Sequence, residues 1–206
     1  TFHDNRAGIV PNSENGEKLG PNSGTTIIGN SVTNNNNGQA PNGESIQIAY
    51  GNGIVLGGTS NNIVERNLVT GHLLTGIIIT DQPQDFVPRN NKVQNNMLRG
   101  NKFDLAYVPL KAATTLYGNC FQDNDYTTEF PTDLQKLSAC GAPDHDFGDI
   151  SSVIQYVPPT PPQVDWKAVK APPAKENMPN AKTAPIKPAT NVPAKVDLDA
   201  IKTPTA

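Results

Sequence analysis

The stretch TDQPQDFVPR gathers two carboxylates and a guanidinium, Asp81, Asp85 and Arg89, into one short loop. Such a set can hydrogen-bond sugar hydroxyls, take a cation such as calcium, or serve as general acid and base. A solvated surface loop is the plainer reading of the same residues. His72 follows Gly71 and could act as a general base or fill a structural corner. Asp144, His145, Asp146 and Asp149 are metal-capable types, but they crowd a proline- and glycine-rich segment where a surface loop is expected and a metal site is not. Glu65 and Arg66 are adjacent charges expected to face solvent. Trp166, the one tryptophan, stands in QVDWK and is expected to dock the segment that follows, with stacking on a sugar ring as the alternative.

The elements that could hold these side chains follow from a repeat. TIIGNSVTNNN from Thr26, NNIVERNLVTGH from Asn61, NKVQNNMLRGN from Asn91 and TLYGNCFQDN from Thr115 share a spacing that sets Asn30, Asn67, Asn96 and Asn119 in one column. Ile27, Val64, Val93 and Leu116 stand three residues before these asparagines, and Val32, Val69, Leu98 and Phe121 two residues after. Five residues after them the column reads Asn35, His72, Asn101 and Asn124, and Phe2 and Asn5 join the same register. Gly-Ile pairs at Gly8, Gly53 and Gly76 open a further strand, with Phe103-Asp104-Leu105 a weaker fourth version. On this alignment successive repeats lie 37, 29 and 23 residues apart, so insertions must be absorbed in loops.

Short apolar strands separated by Asn and Gly at such a period predict a solenoid. Good helix formers are scarce, and the β-branched residues and turn formers that dominate do not suit a helix face. Asparagine tolerates the left-handed backbone of a corner, and equal asparagines on stacked coils about 4.8 Å apart can hydrogen-bond in a ladder. Residues 11–25, 57–61, 81–90 and 109–114 leave the same corner of successive coils and are expected to wall a groove for an elongated ligand. An irregular β-sandwich with Asn-rich turns is the rival architecture.

The columns of N-x-V/L followed by Gly-Ile strands resemble the right-handed parallel β-helix repeats of the pectin-lyase-like superfamily, in particular NosD-like repeats and those of carbohydrate-binding proteins and sugar hydrolases. The resemblance covers about residues 1–125. It implies an all-β, right-handed parallel β-helix solenoid. For polygalacturonan-hydrolysing relatives it would also imply paired Asp motifs, a Gly-His-Gly and an Arg-x-Lys. Here Gly71-His72 is followed by Leu73 and the other motifs are missing, as are the acidic calcium ligands and basic residue of pectate-lyase relatives. The fold hosts lyases, hydrolases, epimerases and noncatalytic surface proteins alike, so it does not define an activity.

The expected organisation is coils over residues 1–125, a cap region over 126–156 and an extended or disordered Pro/Ala/Lys-rich tail over 157–206. Of the 19 prolines, 11 fall in that tail, where seven lysines face four acidic residues. The chain as a whole carries a net charge of -3, so the remainder is acidic, which argues against nucleic acid as a partner. The tail reads as a spacer, or as a basic anchor toward an anionic cell wall. Cys120 and Cys140 bracket the end of the repeat, and a disulfide between them would clip the last coil; two free buried thiols are the alternative. Pairing would point to an oxidising compartment and so to export. No signal peptide or membrane-spanning run stands in the sequence, and the opening TFHDN falls in mid-coil, which predicts further coils and an export signal upstream.

Two functions from different classes remain. One is a secreted or cell-surface module that binds polysaccharide without catalysis, with Asp81, Asp85 and Arg89 as the candidate groove residues and no cofactor. The other is a polysaccharide lyase or glycoside hydrolase whose catalytic residues are divergent or lie upstream.

Overall fold

Triplets with an inward apolar residue at their centre become strands here because each bend between them uses one residue in a left-handed backbone and turns the next side chain inward. The computed structural model describes residues 1–14, 19–39, 49–82, 86–108, 117–148, 151–159, 161–162, 165, 167–168, 170 and 195–205. Leu116, Asp85, Asp149 and Trp166 lie outside these residues. Along the chain run β1 (Phe2–His3), β2 (Thr26–Ile28), β3 (Ser31–Thr33), β4 (Ile54–Gly57), β5 (Ile63–Glu65), β6 (Leu68–Thr70), β7 (Thr75–Thr80), β8 (Lys92–Gln94), β9 (Met97–Arg99), β10 (Phe103–Val108), β11 (Cys120–Gln122) and β12 (Glu129–Phe130). A short helix, α1 (Leu134–Leu137), and a 3-10 segment, Ser151–Tyr156, follow.

The strands form three parallel sheets, ordered β11-β8-β5-β2, β1-β3-β6-β9 and β12-β10-β7-β4, here called sheets I, II and III. Consecutive strands belong to different sheets and each pairs with its counterpart one coil away, which is the topology of a three-sided solenoid. Register places like on like. Ile27, Val64, Val93 and Phe121 stack in sheet I, Val32, Val69 and Leu98 in sheet II, and Ile54, Ile77 and Leu105 in sheet III. All are buried and form one core with Leu56, Ile79, Tyr107 and Leu134. Each fully buried aliphatic side chain contributes about 1.5–3 kcal/mol, which is how a chain with 6% aromatic residues fills its interior.

Each of the three full coils has three one-residue bends. Gly24, Asn61, Asn90 and Gly118 take positive φ at the first, Gly29, Arg66, Asn95 and Asp123 at the second, and Asp4, Asn34, Gly71 and Gly100 at the third. The residue after each bend carries a ladder. At the second bend the backbone and side-chain amides of Asn30 both donate to Oδ1 of Asn67, those of Asn67 to Asn96, and those of Asn96 to Asn124, at 2.9–3.1 Å. Each rung also ties back to a backbone carbonyl, as Asn67 Nδ2 does to Ile27 at 3.0 Å, so these buried amides are satisfied.

The fourth coil corrects the alignment read from the sequence. Asn119 does not join the column of Asn30, Asn67 and Asn96; it stacks under Asn91, which stacks under Asn62, in a separate ladder at the first bend. Asn124 takes the place assigned to Asn119, and Phe121 pairs with Val93 in sheet I rather than following Leu98. The ladder residues are therefore 37, 29 and 28 apart, not 37, 29 and 23.

The three ladders end in three ways. The second-bend ladder ends on Gln135 of α1, whose Oε1 accepts both amides of Asn124 at 3.0 and 2.8 Å. The third-bend ladder runs Asn5, Asn35, His72, Asn101 and stops at Asp104, which accepts from both amides of Asn101 and from the backbone of Thr127 and Thr128. Beside the last rung of the first ladder, Cys120 is bonded to Cys140, with Cα atoms 4.8 Å apart. Leu134 closes the core from below at zero exposure.

Beyond the cap the chain turns back along the solenoid. Val153 of the 3-10 segment packs on the outer face of sheet III against Val55, Ile78, Ala106 and Val108, and Tyr156 meets the ring of Phe103 edge-on at 5.2 Å. Pro161 then sits on Gly38 of the first coils, where its carbonyl accepts from Arg6 at 3.3 Å. The start of the tail is thus applied to the coils.

Candidate functional site

The loop that carries the first candidates leaves the end of β7 and returns at the first bend of the next coil. The structure separates its charged residues. Asp81 continues the strand inward at 3% exposure. Its charge, after burial itself, helps push the Tyr107 hydroxyl well above its ordinary range. Arg89 is exposed at the other end of the loop, with its guanidinium 4.6 Å over the ring of Tyr117 from the next coil. Asp85 lies outside the described residues.

The described residues of three of the four loops expected to wall a groove touch one another, and residues 109–114 lie outside the described residues. Gln82 donates to the side chain of Asn12, which in turn donates to Glu14 at 3.0 Å, linking the loops that follow two different coils. Phe86 lies close over Gly58, and Asn90 reaches Asn61 at 3.5 Å. The outer edge of the first bend therefore presents Asn61, Asn90 and Arg89 in the open, with Tyr117 half-buried beneath the arginine. The spacing of parallel strands, about 4.8 Å, sets these groups at regular steps along the solenoid axis.

His72 is no surface base. It is 2% exposed and replaces an asparagine as a rung: Nδ1 lies 2.8 Å from Asn101 Oδ1 and Nε2 lies 3.2 Å from Asn35 Nδ2. Only the neutral tautomer with its proton on Nδ1 satisfies both neighbours, and burial lowers the pKa against the opposing effect of the Asn101 hydrogen bond.

The remaining candidates fall into structural roles. Asp144 accepts from the Gly118 amide at 2.9 Å, Asp146 from Gly148 at 2.8 Å, and His145 lies edge-on to Phe147 at 4.6 Å. Among the described residues no three His, Cys, Asp or Glu side chains are grouped to hold a metal ion. A cavity of about 190 Å³ lies beside the disulfide, lined by Gly118, Cys120, Ser138, Ala142, Asp144 and His145. Glu65 and Arg66, expected in solvent, are half-buried: they pair at 3.0 Å, and Gln94 donates to Glu65 at 2.5 Å.

Sequence reasoning missed the first-bend ladder and the two polar groups that end the others, Asp104 and Gln135. The signal was present as a seven-residue unit: bend residue, ladder residue, outward, inward, outward, bend residue, ladder residue. Asn61 to Asn67, Asn90 to Asn96 and Gly118 to Asn124 all follow it.

Three parallel sheets joined by left-handed bends, with amide ladders at each, define a parallel β-helix. A family model described as the right handed beta helix region matches residues 1–130, and the chain belongs to that family. Comparison with curated proteins and with solved structures gives no match. Among the described residues, no helix is long and apolar enough to cross a membrane.

Proposed function

We propose that this chain is a secreted or cell-surface module that binds an extended polysaccharide along the outer edge of the first bend and does not cleave it. The observation that carries the reading is the exposed Arg89 guanidinium stacked over Tyr117, beside the outward amides of Asn61 and Asn90. An arginine on an aromatic ring offers a flat, amphipathic contact for a sugar face and a fork of donors for its hydroxyls or carboxylates. Amides one coil apart supply further donors and acceptors at intervals an extended polymer can follow. The buried His72 and Asp104 are taken up by the ladder, and Asp81 is closed off from the loop surface, which supports binding over catalysis. The Cys120–Cys140 bond supports an oxidising compartment.

The test is affinity electrophoresis through gels holding neutral or acidic polysaccharides, run beside assays for new reducing ends and unsaturated products. Retardation on at least one glycan, weakened fivefold or more by Arg89→Ala and Tyr117→Ala, is expected. Retardation unchanged in both variants, or sugar ends that accumulate with time, would overturn the reading.

A further inference from the structure

Residues 195–205 return to the second bend of the first two full coils and make specific contacts there. The Leu198 carbonyl accepts a hydrogen bond from Arg66 Nη2 at 2.5 Å, and the same nitrogen donates to Glu65 at 3.0 Å. Ile201 seats its Cγ2 on Gly29, so close that a Cβ at that position would collide with it. The segment is shaped for this contact. Asp197 Oδ1 accepts from the Asp199 amide at 3.0 Å, and the Ile201 amide donates to the Leu198 carbonyl at 3.2 Å, a turn that presents that carbonyl and the Ile201 side chain to the same bend.

The bend bears marks of a binding role. Gly29, Arg66, Asn95 and Asp123 occupy one column, all at positive φ. Glycine, asparagine and aspartate accept that backbone readily, whereas arginine does not. Arg66 holds it at φ 51, with Nε buried and without a hydrogen-bond partner. A strained residue with an orphaned donor is poor as a corner and is explained by what its other end holds. Gly29, one coil away, gives the space that the isoleucine enters.

We propose that the Gly29–Arg66 bend is a docking site for a short, turn-forming peptide that offers a backbone carbonyl and an aliphatic side chain, and that residues 195–205 occupy it as a detachable clasp of the same chain. Tethering through the chain between Pro162 and Lys195 keeps the segment near its site at an effective concentration of order millimolar, so a contact of modest intrinsic affinity stays closed. Release of the clasp exposes the bend and frees the Lys-rich segment at one end while Pro161 remains on Gly38.

A fluorescent peptide, KVDLDAIKTPT, titrated into full-length protein tests this by anisotropy. Wild-type protein should bind it at least tenfold more weakly than Ile201→Asp, whose own clasp is released. In the Ile201→Asp background, Arg66→Asn should lower affinity fivefold or more without lowering the melting temperature, because asparagine suits the bend. Amide NMR shifts between wild type and Ile201→Asp should centre on Gly29 and Arg66. Failure of the peptide to bind Ile201→Asp, or equal binding with Arg66→Asn, would overturn the proposal. So would concentration-dependent dimers of the wild type that Ile201→Asp abolishes, since the clasp would then belong to a second copy.

Discussion

His72 donates its Nδ1 proton to Oδ1 of Asn101 at 2.8 Å, so the rung below fixes the tautomer of the one histidine in the third-bend ladder. On its other side Nε2 accepts from Asn35, whose Oδ1 is already engaged by Asn5. A second proton on the ring would face donor against donor. The folded-state pKa is lowered from 6.5, chiefly by burial, so between that lowered value and 6.5 the unfolded chain binds more protons than the native one. This stability is complete above about pH 6.5 and is lost as pH falls through the lowered value, at a slope of up to about 1.4 kcal/mol per pH unit. Thermal melts at pH 7.5 and 5 should show a drop in wild type that His72→Asn reduces, with the two proteins close together at pH 7.5.

Asp104 shows why a ladder needs an end. Its Oδ1 accepts two amides from Asn101 and its Oδ2 two from Thr127 and Thr128, at 1% exposure. A carboxamide has one oxygen where four donors converge, and its own NH2 would face N–H groups. Asp104→Asn should cost about 3 kcal/mol, the scale of buried donors left unpaired. Urea unfolding at neutral pH measures it, and amide exchange at Thr127 and Thr128 should rise first.

The first three coils could be read from the sequence because their inward residues recur with asparagine and their bends, Arg66 apart, are Asn or Gly. The fourth misled for a physical reason. First and second ladder residues are five apart, as in Asn62 and Asn67 or Asn91 and Asn96, and so are second and third, as in Asn67 and His72. A slip of five residues therefore lands asparagine on asparagine, and Leu116 happened to suit the apolar column. Only pairing across coils, Phe121 on Val93, separates the two registers. The candidate site was less visible still. Asp81 and Arg89 look alike as charges in one loop, yet one follows an inward strand end and the other sits outside a bend, a distinction that needs the coil's geometry.

Gly76 tests how closely the coils approach. Its position is matched by Gly53 in the coil before and by Asp104 in the coil after, and a Cβ built on it would stand 2.7 Å from the Asp104 carbonyl and 2.8 Å from Asn101 Nδ2. Backbone and ladder would have to part together. Gly76→Ala should destabilise by about 3 kcal/mol, the upper range for overpacking, whereas Gly100→Asn, at a bend in the next coil with more room around it, should change stability little. Chemical denaturation of both variants checks the contrast.

The cap is where a solenoid should fray, since each coil is held only by its neighbours. The disulfide closes a loop of 20 residues that contains β12, α1 and the Asn124–Gln135 rung. Removing it by a double Cys→Ser substitution at Cys120 and Cys140 should cost about 3 kcal/mol in the chain-entropy account. Gln135→Ala should cost about 2 kcal/mol by leaving both Asn124 donors without their acceptor. Because both changes loosen the same coil, the triple variant should lose less than the sum of the two. Hydrogen exchange locates the effect: protection at Cys120, Phe121 and Asn124 should fall while that at Asn67 and Val69, two coils away, stays near wild type. Equal loss of protection at both places would mean that the coils unfold as one unit and that the cap sets the stability of the whole solenoid.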